Sequence, residues 1–251
     1  MSSKKSSDGL NQSVLKCLRG EGTKKDAKNA FRFFHDKAKS NQAQAQFEYG
    51  HALFTGFGND DFKDTTTAID WLQLAADQNH IEAQFYLAQA YHDGEGVEQD
   101  YIMAVHFYTN PAEQGNADAQ YRLGRCLRYI SFERAKKSGW TTTYSEKIEK
   151  NNGQKGTHSY WNRLAAEQGH VEAMCAMGRS FLRKNDAPSL SPEEKLSWME
   201  KAADQGHLSA NWEVGKTYLT GEGSLVGTSF KKNISKAVKF FKAAAEQGHA
   251  E

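Results

Sequence analysis

The sequence predicts an all-α protein in which about six helix–turn–helix repeats stack into a solenoid. Three recurring patterns predict this fold. The first pattern ends a helical stretch and reads AADQNH (75–80), PAEQGN (111–116), AAEQGH (165–170), AADQGH (202–207) and AAEQGH (244–249). The second begins with alanine and reads AQFEYG (45–50), AQFYLA (83–88), AQYRLG (119–124), AMCAMG (173–178) and ANWEVG (210–215). The third is a Gly-x-Gly turn at Gly20/Gly22, Gly56/Gly58, Gly94/Gly96 and Gly221/Gly223.

The second pattern begins the first helix of each repeat. Ala45, Tyr49 and Leu53 recur at helical spacing and form one apolar stripe. The sixth position of the pattern is always small, which predicts that the second helix of the repeat approaches closely there. The residues at this position are Gly50, Ala88, Gly124, Gly178 and Gly215. The Gly-x-Gly turn is predicted to end the first helix, because glycine accepts the positive φ of a helix C-terminus without steric cost.

The second helix of each repeat has its own apolar stripe and its own stop signal. In the second repeat the stripe is Ala68, Trp71, Leu72 and Ala75. The glycine of the first pattern is predicted to end this helix, and Asn79 replaces it once, as asparagine commonly does in a left-handed cap. The histidines that follow the stop are His80, His170, His207 and His249. Their fixed place in the repeat indicates cap or turn residues rather than metal ligands, which must converge on one point.

The repeats are predicted at 8–42, 43–80, 81–116, 117–170, 171–207 and 208–249, after a disordered tail at 1–7 and within a single domain over 8–251. The first repeat has a poor first helix, as expected of a terminal cap. Pro111 is predicted to kink the second helix of the third repeat, because proline removes a backbone hydrogen bond. The fourth repeat carries an insertion at 130–158. Its first helix is predicted to continue to Lys137 and to stop at Gly139, and 141–150 to form a short extra helix.

These patterns resemble the Sel-1-like repeat (SLR) family of α-solenoids, which is related to the tetratricopeptide repeats. The repeat Ala83–Gly115 is similar to the family pattern at Leu87, Tyr91, Gly94, Gly96, Ala104, Phe107, Ala112 and Gly115. The resemblance covers about residues 8–250 in six registers. It implies a right-handed superhelix that binds a protein or peptide in its concave groove and serves as an adaptor, a signalling regulator or a bacterial factor that meets host proteins.

The sequence stops at QGHAE, where a seventh repeat would begin. A bare solenoid end tends to associate. Two interpretations follow: the sequence is a truncated piece of a longer protein, which is favoured, or its uncapped C-terminal end allows self-association.

Composition limits the class of protein. The chain has 251 residues, 38% of them hydrophobic, and it contains no apolar run of the length that crosses a bilayer. The N-terminal residues lack the apolar segment of a secretory signal, and the three cysteines, Cys17, Cys126 and Cys175, form no CxxC pair. We therefore expect buried free thiols and a cytoplasmic location, although secretion by a non-classical route would leave no recognisable signal.

No motif predicts an enzyme, a cofactor or a metal. Gly-x-Gly joins two helices here and lacks the rest of a phosphate-binding motif. Ser-x-x-Lys occurs at Ser2–Lys5, Ser13–Lys16 and Ser229–Lys232, and the resemblance makes it relevant, because some SLR proteins have been described as penicillin-binding. The SDN and KTG motifs of that class are absent. His51 and His92 lie one repeat apart, but no cysteine or carboxylate clearly completes a metal site between them.

The first helices carry the candidate partner-binding residues, because their positions not needed for packing vary. Residues 117–251 have a formal charge of +6 and residues 1–116 a charge of −5. Arg122, Arg125 and Arg128 share one helix face, and Arg179, Arg183 and Lys216 extend the same pattern. This basic patch is predicted to bind carboxylates of an acidic stretch. Tyr86, Gln89, His92 and Trp212 complete the candidate surface, although the aromatic residues have an alternative role in packing.

The sequence thus predicts a non-enzymatic scaffold that binds another protein or peptide. A dedicated inhibitor or immunity protein with one target enzyme is an alternative, and a penicillin-binding hydrolase is a weaker one. The insertion at 130–158 is a further candidate contact site. Nucleic acid is not expected as a partner, since the pI is about 7.7 and phosphate binding needs a broad positive field.

Overall fold

The computed structural model describes residues 16, 21, 23–58, 60–136, 157–179, 190–221 and 230–247, which contain eleven α-helices and no β-strand. In chain order, helices α1 to α11 are Lys24–Ala38, Ala43–Thr55, Thr65–Asp77, Ile81–Asp93, Tyr101–Glu113, Ala117–Lys136, His158–Glu167, Val171–Gly178, Pro192–Asp204, Leu208–Thr220 and Ile234–Glu246. Two short 3₁₀ helices, Gly56–Gly58 and Asp60–Phe62, follow α2. The predicted all-α repeat fold is confirmed.

The chain divides into two compact units, Met1–Gln114 and Gly115–Glu251. In the first unit each of α1 to α4 packs on the next helix, and in the second unit each of α6 to α10 does the same. The even-numbered helices are the first helices of the repeats, and the odd-numbered ones are the second helices. The prediction that 8–251 forms a single domain remains a prediction.

Glycine and asparagine end the helices where the sequence predicts. Gly56 and Gly94, the first glycines of two Gly-x-Gly turns, have φ values of 57° and 73° and cap α2 and α4. Just beyond the ends of α3 and α5, Asn79 has a φ of 62° and Gly115 a φ of 91°. The predicted left-handed stops are therefore confirmed at these positions.

The small residue at the sixth position allows the two helices of a repeat to pack backbone against backbone. A Cβ at Gly50 would lie 3.0 Å from Cγ of Leu72, 3.1 Å from the backbone nitrogen of Leu72 and 3.2 Å from the carbonyl oxygen of Ala68. A Cβ at Gly215 would lie 2.9 Å from the ring of Phe241. The predicted close approach is confirmed.

Histidine caps the N-terminus of three first helices, as its fixed place in the repeat predicts. Nδ1 of His80 accepts the backbone N–H of Ala83 at 3.3 Å, and His170 and His207 accept in the same way at 3.2 Å. At the end of the third repeat Asn116 takes the place of the histidine, and its Oδ1 accepts the backbone N–H of Ala119 at 2.9 Å. An Nδ1 that accepts must carry no proton, so the proton lies on Nε2, which in His80 donates to Oε1 of Gln44 at 3.0 Å. His249 lies outside the described residues.

Replacing His207 by alanine is expected to destabilise the protein by about 1 kcal/mol, because the N–H of Ala210 loses its acceptor. His207→Asn is the matched control, since asparagine already caps the equivalent helix at Asn116. Urea denaturation followed by circular dichroism measures both variants. Equal losses of stability in the two variants would contradict a capping role.

The departures from the repeat pattern are only partly described. Helix α5 continues through Pro111 to Glu113, so the proline does not end it, and the kink remains a prediction. Helix α6 has 20 residues and passes Phe132 before Lys136, which confirms the long first helix of the fourth repeat. The predicted stop at Gly139, the extra helix at 141–150, the tail at 1–7 and the turn glycines Gly20, Gly22 and Gly223 lie outside the described residues.

Candidate partner-binding surface

Neighbouring first helices lie side by side within each unit. In the first unit, α2 and α4 approach so closely that the rings of His51 and Tyr86 are 4.6 Å apart. In the second unit, Nε of Arg179, the residue that directly follows α8, donates to Oε1 of Glu213 on α10 at 3.0 Å. Side chains at the fourth and seventh positions of successive first helices therefore form one surface within a unit.

The aromatic residues at the third position of the first helices pack on other rings of their own repeats. The ring of Phe47 stacks on the capping imidazole of His80 at 4.6 Å, and Tyr121 packs on His170 at 4.7 Å. Trp212, predicted to contact a partner, is half-buried with its ring 5.2 Å from that of Phe241. These contacts agree with the packing interpretation of the aromatic row.

Arg122 is held within its own helix. Its Nε donates to Oδ2 of Asp118 at 3.2 Å, and Nε2 of His170 donates to Oδ1 of the same carboxylate at 3.4 Å. The hydrogen bond from His170, together with the Arg122 guanidinium, keeps the pKa of Asp118 below its ordinary value, although burial acts in the opposite direction. Through Asp118, Arg122 is therefore linked to His170, the residue that caps the first helix of the fifth repeat.

Arg179 is also paired within the chain. The Arg179–Glu213 ion pair links the first helices of the fifth and sixth repeats. Both partners are partly accessible, with 40% of the Arg179 side chain and 20% of the Glu213 side chain exposed. Exposed pairs of this kind contribute about 0–1 kcal/mol to stability. The charge of Arg179 is thus largely compensated by Glu213.

Arg125, Arg128 and Lys216 have no ion-pair partner among the described residues. All three are exposed, and no carboxylate among the described residues lies within salt-bridge distance of any of them. The guanidinium of Arg125 lies 5.9 Å from the ring centroid of Tyr121 on the preceding turn of α6. Arg183 lies outside the described residues. Of the predicted patch, Arg125 and Arg128 on α6 and Lys216 on α10 are thus the cations without a carboxylate partner in the described part of the chain.

In the first unit, Tyr86, Gln89 and His92 lie on α4 and are half-buried. Burial raises the pKa of Tyr86 and lowers the pKa of neighbouring His51. Nδ1 of His92 lies 2.6 Å from Oδ1 of Asp93, and its ring is 5.5 Å from that of Tyr101. His92 is thus oriented by its own neighbours, whereas Tyr86 lies at the surface between the two first helices.

The residues that hold Arg122 and Arg179 were missed in the sequence. Asp118 lies four residues before Arg122, which is a recognisable helical pairing. Glu213 lies at the fourth position of its first helix, and its pairing with Arg179 follows only when the positions of successive repeats are compared across the helix interface. His170 had been recognised as a cap and not as a partner of Asp118.

The described residues contain no group of three or more histidine, cysteine, aspartate or glutamate side chains able to hold a metal ion. Likewise, none of the described helices is long and apolar enough to cross a membrane. Cys126 and Cys175 are buried free cysteines, as predicted, and burial raises the pKa of the Cys175 thiol to about 11. Cys17 and the serines of the three Ser-x-x-Lys matches lie outside the described residues.

Comparison with known proteins identifies the repeats. The Sel1 repeat model matches residues 17–35, 43–80, 81–116, 117–130, 191–207 and 208–249. A search of curated protein sequences gives no significant match.

Several solved structures are similar in fold. A Sel1 repeat protein from Oxalobacter formigenes is 24% identical, with a TM-score of 0.63 over 95% of this chain and 86% of that one. A protective antigen of uropathogenic Escherichia coli with an SLR fold is 26% identical, covering 94% of this chain and 52% of that one with a TM-score of 0.48. An immunity protein from Pseudomonas aeruginosa is 21% identical, covering 82% and 66% with a TM-score of 0.45. With matches to the repeat model in both units, this chain belongs to the Sel1 repeat family.

Proposed function

We propose that this protein is a non-enzymatic scaffold that binds a partner protein in the cytoplasm through the faces of its first helices. Proteins of the Sel1 repeat family generally mediate protein–protein interactions. The proposal rests on exposed cations that have no carboxylate partner among the described residues.

The observation that carries the proposal is the pair Arg125 and Arg128 on α6. We call these two residues the basic surface. They are exposed and lack a carboxylate partner in the described part of the chain, whereas Arg122 beside them is compensated by Asp118. Guanidinium groups form strong, often bidentate hydrogen bonds with carboxylates. The basic surface therefore suits an acidic segment of the partner, with Lys216 on α10 as an additional cation.

The test is affinity purification with the full chain, followed by binding measurements on the recovered partner with Arg125→Glu/Arg128→Glu. We expect at least about a tenfold loss of affinity and a weaker dependence of affinity on salt, since charge reversal at exposed sites removes electrostatic attraction. Lys242→Glu is the matched control, because Lys242 is 76% exposed on α11 and lies outside this surface.

Two results would refute this use of the basic surface. One is unchanged affinity and salt dependence in Arg125→Glu/Arg128→Glu, and the other is an equal loss in the Lys242→Glu control. Circular dichroism of each variant establishes that the helices remain folded. A purification dominated by one stoichiometric enzyme would favour the inhibitor alternative over a general adaptor.

A further inference from the structure

The second and third repeats carry an unusually one-sided charge. Residues 43–116 contain one lysine, Lys63, no arginine and twelve carboxylates, which is a formal charge of −11 with the histidines neutral. The local potential of such a stretch attracts cationic groups and repels anionic ones over about a Debye length, roughly 8 Å at physiological salt. The net charge of +1 for the whole chain conceals this local excess.

A cluster of aromatic rings lies at the surface of these repeats. The ring centroid of Phe47 is 5.5 Å from that of His51 and 6.0 Å from that of Tyr86, and His51 and Tyr86 are 4.6 Å apart. All three side chains are half-buried, so part of each remains accessible. Phe47 and His51 come from α2 and Tyr86 from α4, so the cluster bridges two first helices.

The polar atoms of this cluster are available to a ligand. Among the described residues, neither the Tyr86 hydroxyl nor the His51 imidazole has a hydrogen-bond partner, and neither is a fully enclosed atom. Burial lowers the pKa of His51, so the imidazole is uncharged at neutral pH and does not oppose an incoming cation. The cluster therefore presents partly accessible rings and two neutral polar groups.

Two carboxylates lie on the same helices as the rings. Glu48 precedes His51 by one turn on α2, and Asp93 follows Tyr86 by two turns on α4. The Glu48 side chain is 28% exposed and binds Nζ of Lys37 at 2.6 Å, while Asp93 is 42% exposed beside the imidazole of His92. Lys37, on α1, is thus the one described cation paired with either carboxylate.

We propose that Phe47, Glu48, His51, Tyr86 and Asp93, which we call the ring face, bind arginine or lysine side chains in a basic segment of a partner protein. A cation over an aromatic face is attracted by the ring quadrupole, and arginine also stacks on rings. The exposed carboxylate of Asp93 and the excess of carboxylates in the second and third repeats add attraction and speed up encounter. This site is independent of the basic surface in the other unit, which is proposed to bind the opposite charge.

Other occupants fit the ring face less well. An acidic peptide or a nucleic acid would be repelled by the twelve carboxylates of these repeats. An apolar peptide would bury the rings but would leave the carboxylates without a complementary charge. The chemistry of the surface therefore favours a cationic segment.

The test uses the full chain and fluorescein-labelled decapeptides in a fluorescence anisotropy titration. The probe alternates arginine with serine, and a matched peptide has citrulline in place of arginine, which keeps the shape and removes the charge. We expect the arginine peptide to bind at least about tenfold more tightly than the citrulline peptide, because the attraction depends on the cation. A third peptide alternates glutamate with serine and probes the basic surface.

Variants locate the binding. We expect two variants to lower the affinity for the arginine peptide by about fivefold each. Tyr86→Leu retains apolar bulk, and Glu48→Gln/Asp93→Asn retains the shape of both side chains. Asp204→Asn is the control, since Asp204 is an exposed carboxylate on α9 in the other unit. None of these variants is expected to alter binding of the glutamate peptide, which should respond to Arg125→Glu/Arg128→Glu instead.

The outcomes separate this inference from the proposed function. Equal binding of the arginine and citrulline peptides, no detectable binding of either, or insensitivity to all the ring-face variants would each overturn the ring face while leaving the basic surface untouched. Preference of the ring face for the glutamate peptide, or self-association of the chain through the same residues in sedimentation experiments, would also overturn it. A failure confined to the glutamate peptide would count against the basic surface alone.

Discussion

Replacing Leu72 by alanine is expected to lower the free energy of unfolding by about 3–4 kcal/mol. Leu72 is 0% exposed, and it lies where α3 meets the glycine of α2, with its Cγ 3.0 Å from the position that a Cβ on Gly50 would take. Truncation removes buried methyl groups and leaves a cavity between two helices whose backbones already touch. The helices have little freedom to close that cavity, so the lost burial of the methyl groups and the remaining cavity both lower the free energy of unfolding.

Leu74 provides a matched control on the same helix. It lies two residues from Leu72 and is 45% exposed, so Leu74→Ala is expected to change stability by no more than about 0.5–1 kcal/mol. Urea denaturation monitored by circular dichroism gives the free energy of unfolding of each variant. Similar losses of stability in the two variants would mean that Leu72 is not buried between α2 and α3.

The ends and caps of the helices could be predicted because the same residue types recur at the same positions of several repeats. Gly94 ends α4 and Asn79 follows the end of α3 in left-handed conformations, and both positions could be identified from glycine and asparagine at fixed places in the repeat. The histidine caps have the same origin. A single repeat would have left these assignments ambiguous, whereas agreement among several repeats removes alternatives.

Interactions between helices were less predictable, because they depend on which side chains meet. Oε1 of Gln46 accepts from Nε2 of Gln78 at 2.6 Å, and Oε1 of Gln120 accepts from Gln168 at 2.8 Å, so in the second and fourth repeats the second position of the first helix binds the end of the second helix. Nothing in helical periodicity identifies such pairs, since they lie 32 and 48 residues apart.

The same limit applies to the candidate surface. The sequence grouped five arginines by their position on first helices, but position alone does not reveal that Asp118 binds Arg122 or that Glu213 binds Arg179. Compensation of charge depends on rotamers and on the offset between neighbouring helices. The sequence could therefore predict which residues are on the surface and could not predict which of them remain unpaired.

Replacing Gly50 by leucine is expected to destabilise the protein by about 3 kcal/mol, because the new side chain overfills the contact between α2 and α3. The closest neighbours of a Cβ at this position include the nitrogen of Leu72 at 3.1 Å and the carbonyl oxygen of Ala68 at 3.2 Å. Backbone atoms of a packed helix cannot rotate away as a side chain can. The whole of α3 would have to move outward.

Gly215 is the matched control in the sixth repeat. The nearest neighbours of a Cβ there are atoms of the Phe241 ring at 2.9 Å, and this side chain is half-buried, so it can rotate toward solvent. Gly215→Leu is therefore expected to destabilise the protein less than Gly50→Leu in the same urea denaturation experiment. The reverse order would indicate that backbone contact does not determine the cost at Gly50.

The double variant Gly50→Leu/Leu72→Ala tests whether the two residues occupy one shared volume. Leucine at position 50 would fill part of the space vacated at position 72, so the double variant should be less destabilised than the sum of the single variants by about 1–2 kcal/mol. Recovery should remain incomplete, because the nitrogen of Leu72 and the oxygen of Ala68 are unchanged by the second substitution. Strict additivity would contradict direct packing of Leu72 against Gly50, and complete recovery would show that side-chain volume alone, without the backbone contact, sets the separation of the two helices.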